Sequence, residues 1–327
     1  MKLVRVISRS ELENWLDMKT SVEIVEDFFR DYGDEKYVAP PRMVTAIEER
    51  EAVYLNMPAA SLHVGGYAVK LINEYRKNPV LHGMEAAHGV VLFFDIETGV
   101  LKGVLDAVAL TSLRTGAIGG VGAKYLAPVD SRSAALIGSG RTAWTQLTAL
   151  HTVRNIERVK IYSPTKANRE KLAEKASKTL GIDAKAVDSP REAVENADVV
   201  LTATNSAEPV LSGEWLAENV HVTSIGALPT RRELDLETFR RAELIAADLK
   251  KSVLREAGDI MAAVEKGIVD PAKVLELHEV VKQNLTRPRN VHVSLLKSVG
   301  FAALDLYFTS RVLRMAEKMD VGRVVEL

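Results

Sequence analysis

The pattern of apolar and polar positions changes character along the chain. After a short strand predicted at Val4–Ile7, Ser10 stands ahead of Glu11 and Glu13 as a helix cap. Apolar residues then recur at Trp15, Met18, Val22, Val25 and Phe29. Spacings of three and four predict one amphipathic helix under this stripe. Beyond the Pro40–Pro41 break, short runs predict strands at Met43–Ile47, Ala52–Met57, Tyr67–Ile72, Gly89–Asp95 and Gly103–Leu105. A Glu97–Gly99 turn separates the last two. The first third therefore reads as a mixed sheet with one or two helices.

A different rhythm follows. The Ala- and Gly-rich stretch Thr111–Leu126, closed by Pro128, predicts a tightly packed helix. From Arg132 onward, strands are predicted at Ser133–Ile137, Arg158–Tyr162, Asp198–Ala203, His221–Ile225 and Leu244–Ala247. Helical patterns lie between several of them, among them Thr142–His151 and Asn168–Leu180. Such alternation needs right-handed crossovers and yields an α/β fold with a doubly wound parallel sheet. The final apolar run, Ser294–Met319, predicts one long helix returning to the first segment, which makes the N-terminal domain discontinuous.

Composition narrows the function. The 43 Lys and Arg against 44 Asp and Glu exclude the basic excess of a general nucleic-acid or polybasic membrane binder. The content of 47% hydrophobic and 27% charged residues is that of a globular protein, not a disordered one. No cysteine is present, which removes disulfides, thiol nucleophiles and Cys-ligated metals. The seven histidines form no His-x-x-x-His pair, so no metal is expected. The start, MKLVRVISRSELENWL, lacks a long apolar core, which predicts a cytoplasmic location.

The most specific local signal is the run Ala134 to Ala143, a buried strand followed by Gly138-x-Gly140-x-x-Ala143 and a helix. The first glycine permits a tight turn and the second lets the backbone approach a pyrophosphate. Ala143 keeps helix and strand close, and the helix N-terminus favours negative charge. With strands and helices on either side, this predicts dinucleotide binding by Gly138, Ser139, Gly140, Arg141 and Thr142. The next strand ends in Ser163, Thr165 and Lys166, where an NAD-specific site usually has a carboxylate for the ribose hydroxyls. Hydroxyls and a cation suit a 2′-phosphate, so NADP(H) is modestly preferred over NAD(H). Thr204, beyond the Asp198–Ala203 strand, is assigned to the cofactor as well.

Three cations lie in apolar or glycine-rich surroundings in the first third: Arg42, Lys70 and Arg114. A guanidinium fork binds a carboxylate bidentately and a lysine adds a point charge, which fits an α-amino or α-imino acid. Taken singly, each is equally an exposed ion-pair partner, and periodicity alone does not gather them.

With these residues in hand, the chain resembles the ornithine cyclodeaminase/mu-crystallin family along essentially its full length. The matching stretches are Ala39–Arg42, Gly66–Lys70, Asn78-Pro79, Asp106–Leu126 with its Leu113–Thr115, the Gly138–Gly140 turn, Arg255–Asp259 and Lys297–Gly300. The resemblance, nearest to the ketimine/1-pyrroline-2-carboxylate reductase and alanine dehydrogenase members, implies a homodimer. It implies a substrate-binding and dimerisation domain of residues 1–115 and 295–327, and a Rossmann dinucleotide domain of residues 116–294. It implies that Arg42, Lys70 and Arg114 face the substrate carboxylate and the nicotinamide. Thr115 and the Gly138–Thr142 turn match cofactor contacts, and Lys297-Ser298 matches the segment beside the nicotinamide.

One departure matters. Where cyclodeaminases and many alanine dehydrogenases carry a catalytic Asp in the loop after the fifth Rossmann strand, this chain reads Gly226-Ala227-Leu228-Pro229, so Leu228 takes that place. Leucine moves no proton, which disfavours deamination coupled to ring closure. Nearby Glu233 and Asp235 are assigned to the next helix. His88 is either a proton donor to an imine or an ordinary strand residue. The implied activity is reduction of a small cyclic α-imino acid by NAD(P)H, with alanine dehydrogenase and then ornithine cyclodeaminase as alternatives. A non-catalytic NADPH-dependent small-ligand binder is the reading from another class.

Overall fold

The computed structural model describes residues 3–327. The chain forms two compact units: the residues up to Arg114 together with Phe301–Leu327, and Thr115–Gly300.

In the first unit the strands are β1 (Leu3–Ile7), β2 (Met43–Ile47), β3 (Ala52–Ser61), β4 (Gly66–Tyr75), β5 (Ala87–Asp95) and β6 (Leu101–Asp106). The C-terminal strand Arg323–Glu326 lies on the outer side of β1, giving the sheet order C-terminal strand–β1–β6–β5–β4–β3–β2. From β2 to β6 the strands form an antiparallel meander, and β1 joins β6 in parallel. The register aligns Met57, Lys70, Val91, Leu105 and Ile7 in one row across five strands. All five are buried, and Lys70 is the one charged member of that row. The helix Ala302–Met319 packs against β3, β4 and β5.

The apolar stripe near the N-terminus folds as two helices, not one: Arg9–Trp15 and Met18–Tyr32. Asp17 interrupts it, because its carboxylate accepts from the Thr20 amide at 2.7 Å and caps a new helix. The first helix is capped by Ser8, not Ser10: Ser8 and Glu11 exchange side-chain and backbone hydrogen bonds in a capping box. The spacing of apolar residues survives the break because the second helix buries Val22, Val25, Phe28 and Phe29 on one face.

The second unit has β7 (Ser133–Ile137), β8 (Arg158–Tyr162), β9 (Asp183–Ala186), β10 (Val199–Thr202), β11 (Val220–Ser224), β12 (Leu244–Ala247), β13 (Leu275–Glu276) and β14 (Val293–Lys297). All pair in parallel in the order β13-β12-β14-β11-β10-β7-β8-β9. Read from β9 to β14 through β7, this is the 3-2-1-4-5-6 order of a dinucleotide fold, with β12 and β13 added at one edge. Alternate residues of β7 enter different cores: Ala135 and Ile137 on one side, Ala134 and Leu136 on the other. Both faces of the sheet are covered, as a parallel sheet requires. The expected α/β, doubly wound architecture is therefore present, and the Ala- and Gly-rich stretch lies in the helix Ala107–Leu126.

The run Ser294–Met319 is not one helix. Its first part is β14, buried at every position, and Gly300 with φ +67° turns the chain into the helix that starts at Ala302. A strand buried on both faces has no apolar–polar alternation, so it reads like a continuation of the helix behind it. Among the described residues, no helix is long and apolar enough to cross a membrane.

Candidate active site

Lys70 enters the first unit's core because strand alternation leaves it no other face. Its Nζ lies 2.7 Å from Asp305 Oδ2, and Arg114 Nε lies 3.0 Å from Asp305 Oδ1. One carboxylate thus bridges two cations, and all three side chains are buried. Carrying the β2–β3 register one residue past Met43 places Arg42 opposite Met57, in Lys70's own row. Arg42 adds positive potential at both Lys70 and Asp305. Structure therefore gathers the three cations that the sequence left apart, around an anion that the sequence reading missed. Asp305 had a signal: it is the lone charge in the apolar run Phe301–Phe308.

The protonation states follow from this arrangement. Burial drives the Lys70 ammonium down to about 7; Asp305 opposes the shift, while Arg114 and Arg42 add to it. For Asp305, burial works upward, but Lys70 and Arg114, then Arg42, outweigh it and hold the carboxyl below its ordinary value. The two directions agree, because Lys70 and Arg114 repel each other and both stabilise the single anion between them. With Lys70 protonated, the Lys70–Asp305–Arg114 group carries one positive charge that Asp305 does not answer. An unanswered buried charge is costly, and a ligand carboxylate removes the cost.

His88 is elsewhere. It pairs with Asn73, three residues along β4 from Lys70, so it projects from the opposite face of the sheet. Its Nε2 donates to the Glu85 carbonyl at 2.9 Å. A part as proton donor beside Lys70 is excluded by that geometry.

In the second unit the glycine turn follows β7 at the switch point between β7 and β10. Gly138 has φ +125°, and a Cβ there would sit 2.3 Å from the Ala203 carbonyl oxygen, so only glycine fits. Gly140 is the N-cap of the helix Arg141–Val153 and offers no side chain to its first amides; a Cβ built on it meets nothing within 4 Å. Open space at an uncapped N-terminus of a 13-residue helix fits a dinucleotide diphosphate. Ser139, Arg141 and Thr142 border that opening in sequence. Thr115 is buried, and its carbonyl accepts from Gln146 Nε2 at 2.8 Å.

At the end of β8, Ser163 is buried with its hydroxyl 3.3 Å from the Thr165 carbonyl. Thr165 caps the helix Lys166–Leu180 without a side-chain bond, and Lys166 is exposed. Arg169, one turn on, is engaged: it donates to the Ser163 carbonyl and pairs with Asp188. Thr204 donates its amide to Glu233 Oε1 at 2.6 Å. Lys297 and Ser298 are buried too. Lys297 Nζ donates to Ser224 Oγ at 2.7 Å and Asp259 Oδ2 at 2.8 Å, and Ser298 Oγ donates to Asp248 at 2.7 Å.

Asp235 does belong to the following helix, as its N-cap, but Glu233 does not. Glu233 is fully buried in a loop and accepts from several donors around it. Leu228 has φ +92°, a conformation that a leucine holds only when its surroundings force it. It forms an isolated parallel bridge with Ala257.

A doubly wound sheet with a glycine turn, in one chain with the buried Lys70–Asp305–Arg114 cluster, fits a nicotinamide-dependent oxidoreductase acting on amino or imino acids. The chain belongs to the ornithine cyclodeaminase/mu-crystallin family, whose model matches residues 3–318. It is similar to the Delta(1)-pyrroline-2-carboxylate reductase of Thermococcus litoralis, solved in complex with NADH and L-proline. Identity is 36%, the TM-score is 0.93, and the match covers 98% of this chain and 99% of that one. It is 32% identical to an alanine dehydrogenase of Archaeoglobus fulgidus, over 98% of each chain. A solved archaeal alanine dehydrogenase dimer with bound NAD is 30% identical, with a TM-score of 0.90 over 99% of each chain.

Proposed function

We propose that the chain reduces a small cyclic α-imino acid, such as 1-pyrroline-2-carboxylate, to the saturated ring amino acid (here proline) with NADPH or NADH. The observation that carries this reading is the Lys70–Asp305–Arg114 cluster, one carboxylate short of balance. Arg114 and Arg42 hold the substrate carboxylate. Protonated Lys70 assists them and gives its proton to the imine nitrogen; with its pKa near 7 it releases that proton readily. Bound nicotinamide supplies the hydride. Leu228 supports the same reading, since a preformed imine needs no separate base to build it.

The Archaeoglobus fulgidus relative favours alanine dehydrogenase as the second reading. That reaction must also form or hydrolyse an imine, which the loop carrying Leu228 serves poorly. Ornithine cyclodeaminase asks still more of the missing acid. For the cofactor, Ser163, Thr165 and Lys166 in place of a carboxylate support a modest preference for NADP(H), while Arg169 is already paired with Asp188. One assay addresses both questions: oxidation of NADPH and of NADH with 1-pyrroline-2-carboxylate, 1-piperideine-2-carboxylate, or pyruvate plus ammonia. Expected are a cyclic imine turned over at least about tenfold better than pyruvate plus ammonia, and a KM for NADPH about threefold below that for NADH. Faster alanine formation, or ammonia released from ornithine with NAD, overturns the substrate assignment.

A homodimer is part of this proposal. Met43, Asn56, Leu71 and Val90 align across β2, β3, β4 and β5 on the face opposite Lys70. Met43, Leu71 and Val90 are exposed there, an apolar strip of the kind that marks an association surface. Light scattering is expected to give about twice the chain mass of 35.9 kDa, and Leu71→Arg to give the monomer. A wild-type protein of single-chain mass removes the dimer.

A further inference from the structure

The C-terminal ends of parallel strands are where a doubly wound sheet meets its ligand. In the second unit these ends are treated unequally. Beyond β7 the N-cap Gly140 offers no side chain to the helix amides that follow it. Beyond β10 and β11 one buried carboxylate accepts from the donors there. Glu233 accepts from Thr202 Oγ1 at 2.9 Å and the Thr204 amide at 2.6 Å at the end of β10. At the end of β11 it accepts from Ser224 Oγ at 2.8 Å, the Ile225 amide at 3.1 Å and the Gly226 amide at 2.7 Å.

The carboxylate is itself held in a closed ring. Ser224 Oγ, while donating to Glu233, accepts from Lys297 Nζ at the end of β14. Lys297 Nζ donates to Asp259 Oδ2, and Asp259 Oδ2 accepts the Glu233 backbone amide at 3.2 Å. All four residues are buried. The ring therefore fixes three neighbouring strand ends, β10, β11 and β14, relative to one another. It also anchors both ends of the loop 226–233, in which Leu228 is held at its positive φ.

Of the two mononucleotide halves of this fold, the one containing β7 and β8 takes the adenosine and diphosphate, which leaves the β10, β11 and β14 ends for the nicotinamide half. We propose that Glu233 is a positioning residue for the nicotinamide: it would act without contacting the cofactor, by setting where the Thr204 and Gly226 backbones stand at the strand ends that would receive the ring. The proposal rests on the dinucleotide reading of this unit and not on any substrate.

Glu233→Gln keeps the shape but puts an NH2 against amide donors, so at least one of the five bonds is lost. The test is binding, not turnover. Reduced cofactor is titrated by the fluorescence of its nicotinamide, and ADP-ribose, or its 2′-phosphate where NADPH is the tighter cofactor, is titrated by calorimetry. Expected in Glu233→Gln are about a tenfold loss of affinity for the reduced cofactor and less than about a twofold change for the nicotinamide-free ligand. Ser224→Ala, a milder break in the same ring, is expected to show about a threefold loss with the same selectivity and decides the matter if Glu233→Gln does not fold. Equal losses for both ligands, or no loss in either variant, overturn the proposal. Failure of the wild-type protein to bind ADP-ribose or its 2′-phosphate overturns the dinucleotide reading itself, a result distinct from either.

Discussion

Lys70→Ala lowers kcat/KM for a cyclic imino acid by about 10³-fold and leaves dinucleotide binding within about twofold of wild type. The size follows from two roles removed together. A positioned proton donor contributes about 10²- to 10⁴-fold, and a charge-assisted contact to the carboxylate adds to it. Folding is expected to survive, because the substitution leaves Asp305 paired with Arg114 at 3.0 Å, one charge against one. The pH dependence is the sharper readout. Free enzyme needs Lys70 protonated, and its folded pKa lies near 7, so wild-type kcat/KM falls tenfold per pH unit above that value. A bound carboxylate favours the ammonium, so the corresponding limb of kcat lies at higher pH. In Lys70→Ala both limbs disappear. A variant with wild-type turnover, or with an unaltered limb, places the chemistry somewhere other than Lys70.

That prediction joins a residue visible in the sequence to one that was not. The dinucleotide unit was legible because its signals are local: a strand, two glycines at fixed spacing and a helix make Gly138 and Gly140 readable without neighbours. Strand–helix alternation likewise fixed the fold class, since each crossover is a short-range pattern. The cation cluster was only half legible. Arg42, Lys70 and Arg114 stood out as charges in apolar settings, yet only strand register and the return of the C-terminal helix bring Lys70 to Asp305, 235 positions apart. Glu233 was misassigned for a related reason. A Glu two residues before a helix cap looks like part of that helix, and nothing in the sequence reports five donors converging on it from two strands. β14 was lost because full burial erases alternation. What sequence periodicity records is one-sided burial, so elements buried all round, and pairings over long separations, fall outside it.

Asp305→Asn tests the cluster from its anionic side and is expected to affect stability and chemistry together. It leaves Lys70 and Arg114 buried beside each other with no carboxylate between them. Removing one partner of a buried ion pair costs about 3–5 kcal/mol, here at the upper end at low pH, where Lys70 is charged. The sign follows from linkage. Asp305 is the group that raises Lys70 against the downward push of burial, Arg114 and Arg42, so its loss takes Lys70 below about 7. The unfolded chain then binds a proton that the folded variant releases, and stability of the variant rises with pH from the folded Lys70 value up to the ordinary lysine range. Denaturant unfolding at several pH values is therefore expected to show a deficit that shrinks as pH rises from the variant's Lys70 value to about 7, and stays constant above it, where the wild type gains stability in parallel. The kcat/KM limb moves the opposite way, to lower pH, so the variant regains part of its activity as the assay is acidified. If the limb stays where it is in the wild type, Asp305 does not set the Lys70 proton, and the bridge between Lys70 and Arg114 is only a structural tie.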